Sequence, residues 1–445
     1  MSQPDLASRS RAAQSASAAR PLKLLFLVPF PPDLRGTHGG ARATAAMIDL
    51  LGQHHRVRVL YLVDPHAGPP VKLVSRCEKL TPVKLDLAKL KQLGRRNKVA
   101  RTLDELGGMP VWAESCQLPA VTEQIATVAR EFQPDIVHHE FHVMAQYIPI
   151  VRKAAPHARC LVTEHEPGII ADREGGAFLS LRKRLRNFTR NHSWRRYEKR
   201  TLPEADGVVV FTQNDALALS QLLGPTAPPI AVIPLRLPEQ PDDRSAAKTP
   251  VESDLLFVGN FRHPPNADAA RRLVHDIFPL IANRLPDATL AIVGIDPPDD
   301  VSAAASDKVT VTGWVDDPSV YLTGAKVVIV PLRQGGGLRV KMLDACAAGK
   351  AIIASPTAVE GLGLVQGAQV LLAESDEEFA QKAMLLLGDP EARIRLEAGS
   401  LAWSRSEQDG AQWAAQYADF YSTLLAAPRT SNGTPDSPSG ADGPA

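Results

Sequence analysis

The chain is predicted to fold as two α/β domains, each a doubly wound, Rossmann-like parallel sheet, facing one another across a cleft. Three observations carry this. Short, continuous apolar runs such as LKLLFLV, VRVLYLV, DLLFVGNF and AKVVIVP alternate with segments of helical spacing, the pattern of strands covered on both faces. The alternation restarts after a polar, proline-bearing stretch, EQPDDRSAAKTPVES, which marks a domain linker. Near the end of the second half, three consecutive glycines follow a β-branched run and precede a helical segment.

Taken in order, residues 1–20 are rich in Ser, Ala and Gln and read as a disordered tail. The first domain, 21–240, opens with the strand LKLLFLV, a long loop, a helix over TAAMIDLLGQH and the strand VRVLYLV. Gly39 and Gly40 stand near that helix start, where glycine serves either of two needs: admitting a phosphate or sugar, or letting helix and strand pack closely. A basic, mixed region follows, with a helical excursion expected around 80–106. Next come a helix at 121–132 and the strand PDIVHHEFHVMAQYI, whose alternation puts His138 and Glu140 on one face and His139 on the other. A second strand, ARCLVTEHEP, ends in Glu164, His165 and Glu166. Two parallel strands ending in ionisable residues place those groups at the carboxyl edge of the sheet, where open α/β sheets bind ligands; the alternative is solvated loop residues. A zinc reading of HHEFH is set aside, because the pattern is not the helical HExxH spacing and its residues alternate between faces.

The segment LSLRKRLRNFTRNHSWRRYEKR carries nine Lys or Arg against one Glu within 181–200, interleaved with aromatics. It is either a basic amphipathic helix for an anionic bilayer surface, through 182–200, or a solvated connecting helix that packs its aromatics inward. The linker is set at 241–252, the second domain at 253–425 and a Pro-, Gly- and Ser-rich disordered tail at 426–445. The second domain repeats the pattern: strand, helix NADAARRLVHDIFPLIANRL, strand ATLAIVG, strand KVTVTGWV, a helix at PSVYLTG, strand AKVVIVP, the glycine stretch and strand AIIAS.

The chemistry concentrates in PLRQGGGLRVKMLDACAAGK. Gly335, Gly336 and Gly337 permit close backbone approach to an anion, and the N–H groups opening the following helix point at it with the positive end of the helix dipole. Arg339 and Lys341 supply a fork and a point charge for a diphosphate; the alternative is a Gly-rich turn with solvated charges. On the helix, Val340, Leu343 and Ala347 are expected to form the buried stripe, with Asp344 beside it and Gly349 as the C-cap.

Bulk properties narrow the class. At 445 residues and 44% hydrophobic the chain can bury two ordinary cores. A net charge of +1 leaves no global field for a polyanion, so no nucleic-acid partner is expected. No apolar run approaches the length of a membrane span, and the N-terminal stretch has no apolar h-region. Cys77, Cys116, Cys160 and Cys346 lack CxxC spacing and read as reduced, mostly buried thiols of a cytosolic protein, with no metal role.

At this point FVGNFRHPPNADAARRLVHDIFPLI, LAIVG, VTGWVDD and PLRQGGGLRVKMLDACAAGKAIIASPTAVEGL resemble the carboxyl-terminal half of family 4 glycosyltransferases of the GT-B fold. The branch with a GGGxRxK loop, in sugar transferases of bacterial exopolysaccharide-type systems, is the most similar, and VPFPP…GG, DIVHHEFHVMAQY and VTEHEP are similar to its acceptor domain. The resemblance implies a metal-independent retaining transfer of a sugar from a nucleoside diphosphate sugar, the co-substrate, with no cofactor. The acceptor it implies is a glycan or a lipid-linked sugar, at a cytoplasmic location that includes peripheral contact with the inner membrane face. Gly335, Gly336, Gly337, Leu338, Arg339 and Lys341 would hold the donor diphosphate, with Gly259 and Arg262 also on the donor side. Asp344 stands where the family's second glutamate contacts the donor ribose, and the first glutamate's position is Gly336. His165 and Glu140 would be the catalytic pair, and Gly39, Gly40 and His138 would face acceptor or sugar. A nucleotide-binding protein of the same shape that transfers nothing, and a nucleotide-sugar epimerase, are the alternatives.

Overall fold

The computed structural model describes residues 20–35, 39–64, 73–86, 88, 91, 95, 105–165, 181–237, 249–334, 340–407 and 409–428, with backbone alone over 181–187. In the first domain the order is β1 (Lys23–Val28), α1 (Gly39–Leu51), β2 (Arg56–Val63), β3 (Lys79–Lys84), α2 (Pro119–Phe132), β4 (Ile136–Glu140), β5 (Arg159–Glu164), α3 (Leu181–Thr201), β6 (Gly207–Val210), α4 (Gln213–Leu223) and β7 (Ile230–Val232). The strands form one seven-stranded sheet in the order β3-β2-β1-β4-β5-β6-β7, parallel throughout. Every residue of β4, β5 and β6 is buried, as continuous apolar runs demand when helices cover both faces.

The second domain holds β8 (Ser253–Val258), α5 (Pro264–Arg272), β9 (Leu290–Val293), β10 (Val309–Val311), β11 (Ala325–Val330), α6 (Val340–Ala347), β12 (Ala351–Ala354), β13 (Leu371–Leu372), α7 (Asp376–Gly388) and α8 (Pro390–Glu407). Its sheet has the order β10-β9-β8-β11-β12-β13, again parallel. Both sheets are therefore doubly wound, and their strand order reverses between β1 and β4 and between β8 and β11. Ligand crevices in such sheets lie outside the carboxyl ends of the strands at these two reversals.

Three local expectations need correction. The stretch expected to be helical from residue 80 starts as β3, which pairs with β2 from Arg58↔Lys79 to Val63↔Lys84. Edge pairing overrode a weak helical pattern there; beyond it residues 88, 91, 95, 105 and 106 are helical, as expected, and the rest of 87–104 lies outside the described residues. The buried residues of α6 are Met342, Leu343, Ala345 and Cys346, while Val340 and Ala347 are half-buried. The helix packs against α8 and also meets α1, and its buried residues join the core of the second sheet, so its buried face is wider than the single stripe spacing suggests. The final helix, α9 (Gly410–Ala426), carries the last residues assigned to the second domain, yet it packs against the first. Tyr421 bonds His138 of β4, and a Cβ on Gly207 of β6 would lie 2.8 Å from the Leu424 side chain. None of the four cysteines forms a disulfide; Cys116, Cys160 and Cys346 are buried, and burial pushes the Cys346 thiol up to about 12.

Candidate functional site

The first domain's strand reversal is built from ionisable side chains that satisfy one another. Glu140 closes β4 and is fully buried. One carboxylate oxygen accepts from the Thr163 hydroxyl at 2.9 Å and lies 3.3 Å from His138 Nδ1; the other is 2.9 Å from His165 Nε2. Burial alone would raise the Glu140 carboxyl, and the hydrogen bonds from His138 and His165 overcome it, so its pKa lies below the ordinary carboxylate value. Glu140 and His165, expected on adjacent strand ends, are thus in direct contact, because β4 and β5 pair in register up to Glu140↔Thr163.

His165 is gripped from both sides. Phe141 stacks on its ring at 3.8 Å with an interplanar angle of 10°, and Phe211 meets it edge-on at 4.9 Å. Phe141 has φ 65° and ψ 146°, a conformation nearly confined to glycine that costs roughly 1–3 kcal/mol. The strain has a visible consequence, since the chain turns sharply between Glu140, which serves His165, and His142, which serves Glu164 at 2.5 Å.

His138 is in a different place from the one expected of a sugar contact. It is fully buried, stacks on Phe26 at 4.3 Å and shares a 2.6 Å hydrogen bond with the Tyr421 hydroxyl of α9. The alternation that put it on the Glu140 face is correct, and that face is covered by the returning terminal helix. His138 therefore supports Glu140 from behind and does not open onto the cleft.

The second domain's reversal is built instead from glycines, amides and cations. The loop after β8 carries Gly259, whose Cβ position is 3.3 Å from Asn266 of α5. Gly294, with φ +145°, ends the neighbouring strand so close that a Cβ would lie 1.7 Å from the Gly259 carbonyl oxygen, so no side chain fits there. Lys341, in the first turn of α6, spans this edge: its ammonium donates to Asn266 Oδ1 at 2.5 Å and sits 4.5 Å from the centre of the Phe257 ring. Arg272, buried in α5, donates to the carbonyl oxygens of Pro331 at 3.1 Å and Glu374 at 2.6 Å and to Asp376 at 2.5 Å, fixing the end of β11 from which the glycine stretch departs. Gly335, Gly336, Gly337, Leu338 and Arg339 lie outside the described residues. Arg262 is exposed and paired with Asp296 of the loop after β9.

Between the domains, α1 and α6 meet near their first turns. A Cβ on Gly39 would lie 3.3 Å from the Val340 side chain, so the glycine at 39 allows close helix approach, though to a helix of the other domain rather than to its own strand. Gly40 is the second residue of α1. Arg42, one turn along, donates two 2.6 Å hydrogen bonds to the two carboxylate oxygens of Asp344. The Asp344 charge raises the Arg42 guanidinium above its usual value against the effect of burial. Both oxygens expected for the donor ribose thus carry an arginine partner from the first domain. Arg42, Asn266 and Arg272 escaped the sequence reading: Arg42 follows Gly39–Gly40 closely, but no spacing rule links residues 42 and 344.

Residues 252–389 match the family model described as Glycosyl transferases group 1. No curated protein matches the chain. Sucrose-phosphate synthase from Thermosynechococcus elongatus is similar in structure at 18% identity, covering 91% of this chain and 99% of that one with a TM-score of 0.66. Anabaena Alr3699/HepE in complex with UDP-glucose is similar at 14% identity over 90% of this chain and 100% of that one, TM-score 0.61. TarM of S. aureus, solved with UDP and sugar ligands, is similar at 10% identity over 91% and 100%, TM-score 0.63. The two-domain architecture is therefore that of the GT-B fold, and the matched segment is of glycosyltransferase type.

Proposed function

We propose that the chain is a retaining hexosyltransferase that moves a sugar from a nucleoside diphosphate sugar to a glycan or lipid-linked acceptor in bacterial polysaccharide or glycoconjugate synthesis. The observation that carries this is the transferase-type match over 252–389, which spans the second strand reversal, where Lys341 and the first turn of α6 stand. UDP and UDP-glucose, bound by the similar proteins, are the first donors to try.

In this reading the leaving diphosphate gathers negative charge as an oxocarbenium-like centre forms. The backbone of 335–339, Arg339, Lys341 and the α6 N–H groups stabilise that charge without a metal. Asp344 takes the ribose hydroxyls when Arg42 yields or shares its oxygens, and Arg42 then remains a cation beside the donor. His165, held by Glu140, orients the acceptor hydroxyl or the donor sugar from the other domain. The exposed cations Arg190, Arg195, Arg196, Lys199 and Arg200 of α3, with the exposed Phe188, serve an acceptor that is anionic or at a membrane surface. Tyr197 is buried and Trp194 half-buried, so the aromatics nearer the helix end pack inward. No helix among the described residues is long and apolar enough to cross a membrane.

The test is release of free nucleoside diphosphate from labelled sugar nucleotides with and without candidate acceptors, followed by NMR assignment of the product's anomeric configuration. Acceptor-dependent release with retained configuration supports the reading. Binding of a donor with no release under any acceptor favours the second reading, a non-transferring nucleotide-binding protein, for which the Arg42–Asp344 pair is the specific argument. For the membrane contact, sedimentation with vesicles that does not respond to anionic lipid counts against it.

A further inference from the structure

The side chains around Glu140 fix where the protons of this buried row sit. Glu140 is fully enclosed and, held below the ordinary carboxylate value, it is an anion at neutral pH and only accepts. Among the described residues no lysine or arginine pairs with it; its neighbours are a hydroxyl and two imidazoles. Thr163 donates to one carboxylate oxygen at 2.9 Å, and His138 Nδ1 stands 3.3 Å from the same oxygen with no other partner among the described residues. A nitrogen lone pair turned toward an anionic oxygen is repelled, so Nδ1 carries the hydrogen. Nε2 of His138 meets the Tyr421 hydroxyl at 2.6 Å. Burial raises the Tyr421 phenol well above its usual value, so it keeps its proton and donates it to Nε2.

The second oxygen of Glu140 imposes the same choice on the next ring. His165 Nε2 lies 2.9 Å from it and therefore carries hydrogen, which in a neutral imidazole leaves the lone pair on Nδ1. His165 Nδ1 makes no hydrogen bond among the described residues, while Phe141, stacked at 3.8 Å, and Phe211, edge-on at 4.9 Å, hold the plane of the ring. We propose that Glu140 is a positioning residue that holds His165 as the Nε2–H tautomer, with His138 and Tyr421 behind it, so that His165 receives a substrate hydroxyl as a hydrogen-bond acceptor through Nδ1. The identity of the ligand rests on the transferase reading; the tautomer rests on the geometry alone. A lone pair one ring away from a buried anion accepts from a hydroxyl and repels phosphate or carboxylate oxygens. This reversal therefore takes a neutral sugar hydroxyl, and the charged diphosphate is left to the cations of the second domain. Tyr421 carries the row into α9, the helix that returns from the far end of the chain to cover the first sheet.

The experiment is NMR of the full-length chain, free of ligand and carrying nitrogen-15 in its histidines, at about pH 8, above the ordinary histidine range. The two ring nitrogens of a neutral imidazole give separate shifts for N–H and lone pair, and His165 is assigned by the signals lost in His165→Asn. The expected pattern is N–H at Nε2 and a lone pair at Nδ1. In Glu140→Gln the amide oxygen goes to the side of the two donors, Thr163 and His138, and the amide NH₂ then faces His165 Nε2, so the pattern should reverse or become mixed. A wild-type His165 protonated at Nδ1, alone or at both nitrogens, overturns the proposal, as does an unchanged pattern in Glu140→Gln, which would mean that another group holds the ring. In the transfer assay Glu140→Gln should lose on the order of tenfold or more in kcat, and a wild-type rate in that variant overturns the positioning role. A wild-type chain with the expected pattern that transfers nothing to any acceptor removes the transferase reading and leaves the tautomer established, so the two fail separately.

Discussion

The two strand reversals that face the cleft solve opposite problems with the same topology. The first, between β1 and β4, is closed and polar: Glu140, His138 and His165 are buried, with Glu140 bonded to Thr163 and His165, and His138 to Tyr421. The second, between β8 and β11, is built of glycine backbone and cations: Gly259 and Gly294 bring backbones together, and Lys341 is held over the edge by Asn266 and Phe257. A site that orients a reacting group needs side chains locked by neighbours, and a site that takes up a diphosphate needs exposed backbone and cations. Substitutions in the first half should therefore register in stability, and those in the second in ligand binding.

The largest effect belongs to Glu140→Ala, which strips His138 and His165 of their common partner. It should lower unfolding stability by about 3–5 kcal/mol, read by chemical denaturation, with Glu140→Gln clearly milder. A loss under about 1 kcal/mol would break the contrast, because it would mean that the buried network is not structural.

Acid should act on the same half. Burial pushes His139, fully enclosed in β4, down to about 4, and burial with nearby His54 and His138 takes His55 down to about 4. Between about pH 4 and 6.5 these rings are neutral in the folded chain while the unfolded chain takes up protons. Stability therefore falls as pH drops through that window, by about 3 kcal/mol for His139 at pH 4, and these groups leave it flat above it. The depressed carboxyl of Glu140 adds to the loss below the ordinary carboxylate range. A denaturation midpoint independent of pH from 7 to 4 contradicts this.

In the second domain, Lys341→Ala should leave the melting temperature nearly unchanged and weaken nucleotide diphosphate binding by about 1.5–3 kcal/mol, on the order of ten- to a hundredfold. The smallest effect is at the junction. Arg42 and Asp344 are about 30% exposed, so Arg42→Gln should cost about 1 kcal/mol or less in stability. Solution scattering that shows a more open pair of domains in Arg42→Gln would identify the contact as a latch, and unchanged scattering would leave it a local ion pair.

The contrast also decides what could be read from sequence. The second reversal is written in contiguous residues: a β-branched run, three glycines and a helix with Lys341 in its first turn need only local rules. The alternating apolar runs likewise carried both doubly wound sheets. The closed half depends on register between strands and on a helix that returns from the far end of the chain. Glu140 and His165 were identifiable as strand-end groups, but their contact needs β4 and β5 aligned residue for residue. The burial of His138 needs Tyr421, 283 positions away, and the occupation of Asp344 needs Arg42, 302 positions away. Nothing local encodes these separations.

The most direct test of a donor site on the second domain is calorimetric titration of the chain with UDP, GDP, CDP, dTDP and their sugar conjugates, repeated on Lys341→Ala and Arg339→Ala. One nucleotide class should bind, stabilise the fold by about 2.7 kcal/mol at a hundred times its Kd, and lose at least tenfold in affinity in each variant. Failure of every nucleotide to bind, or equal affinity in both variants, would contradict the assignment and leave the glycine stretch a structural turn.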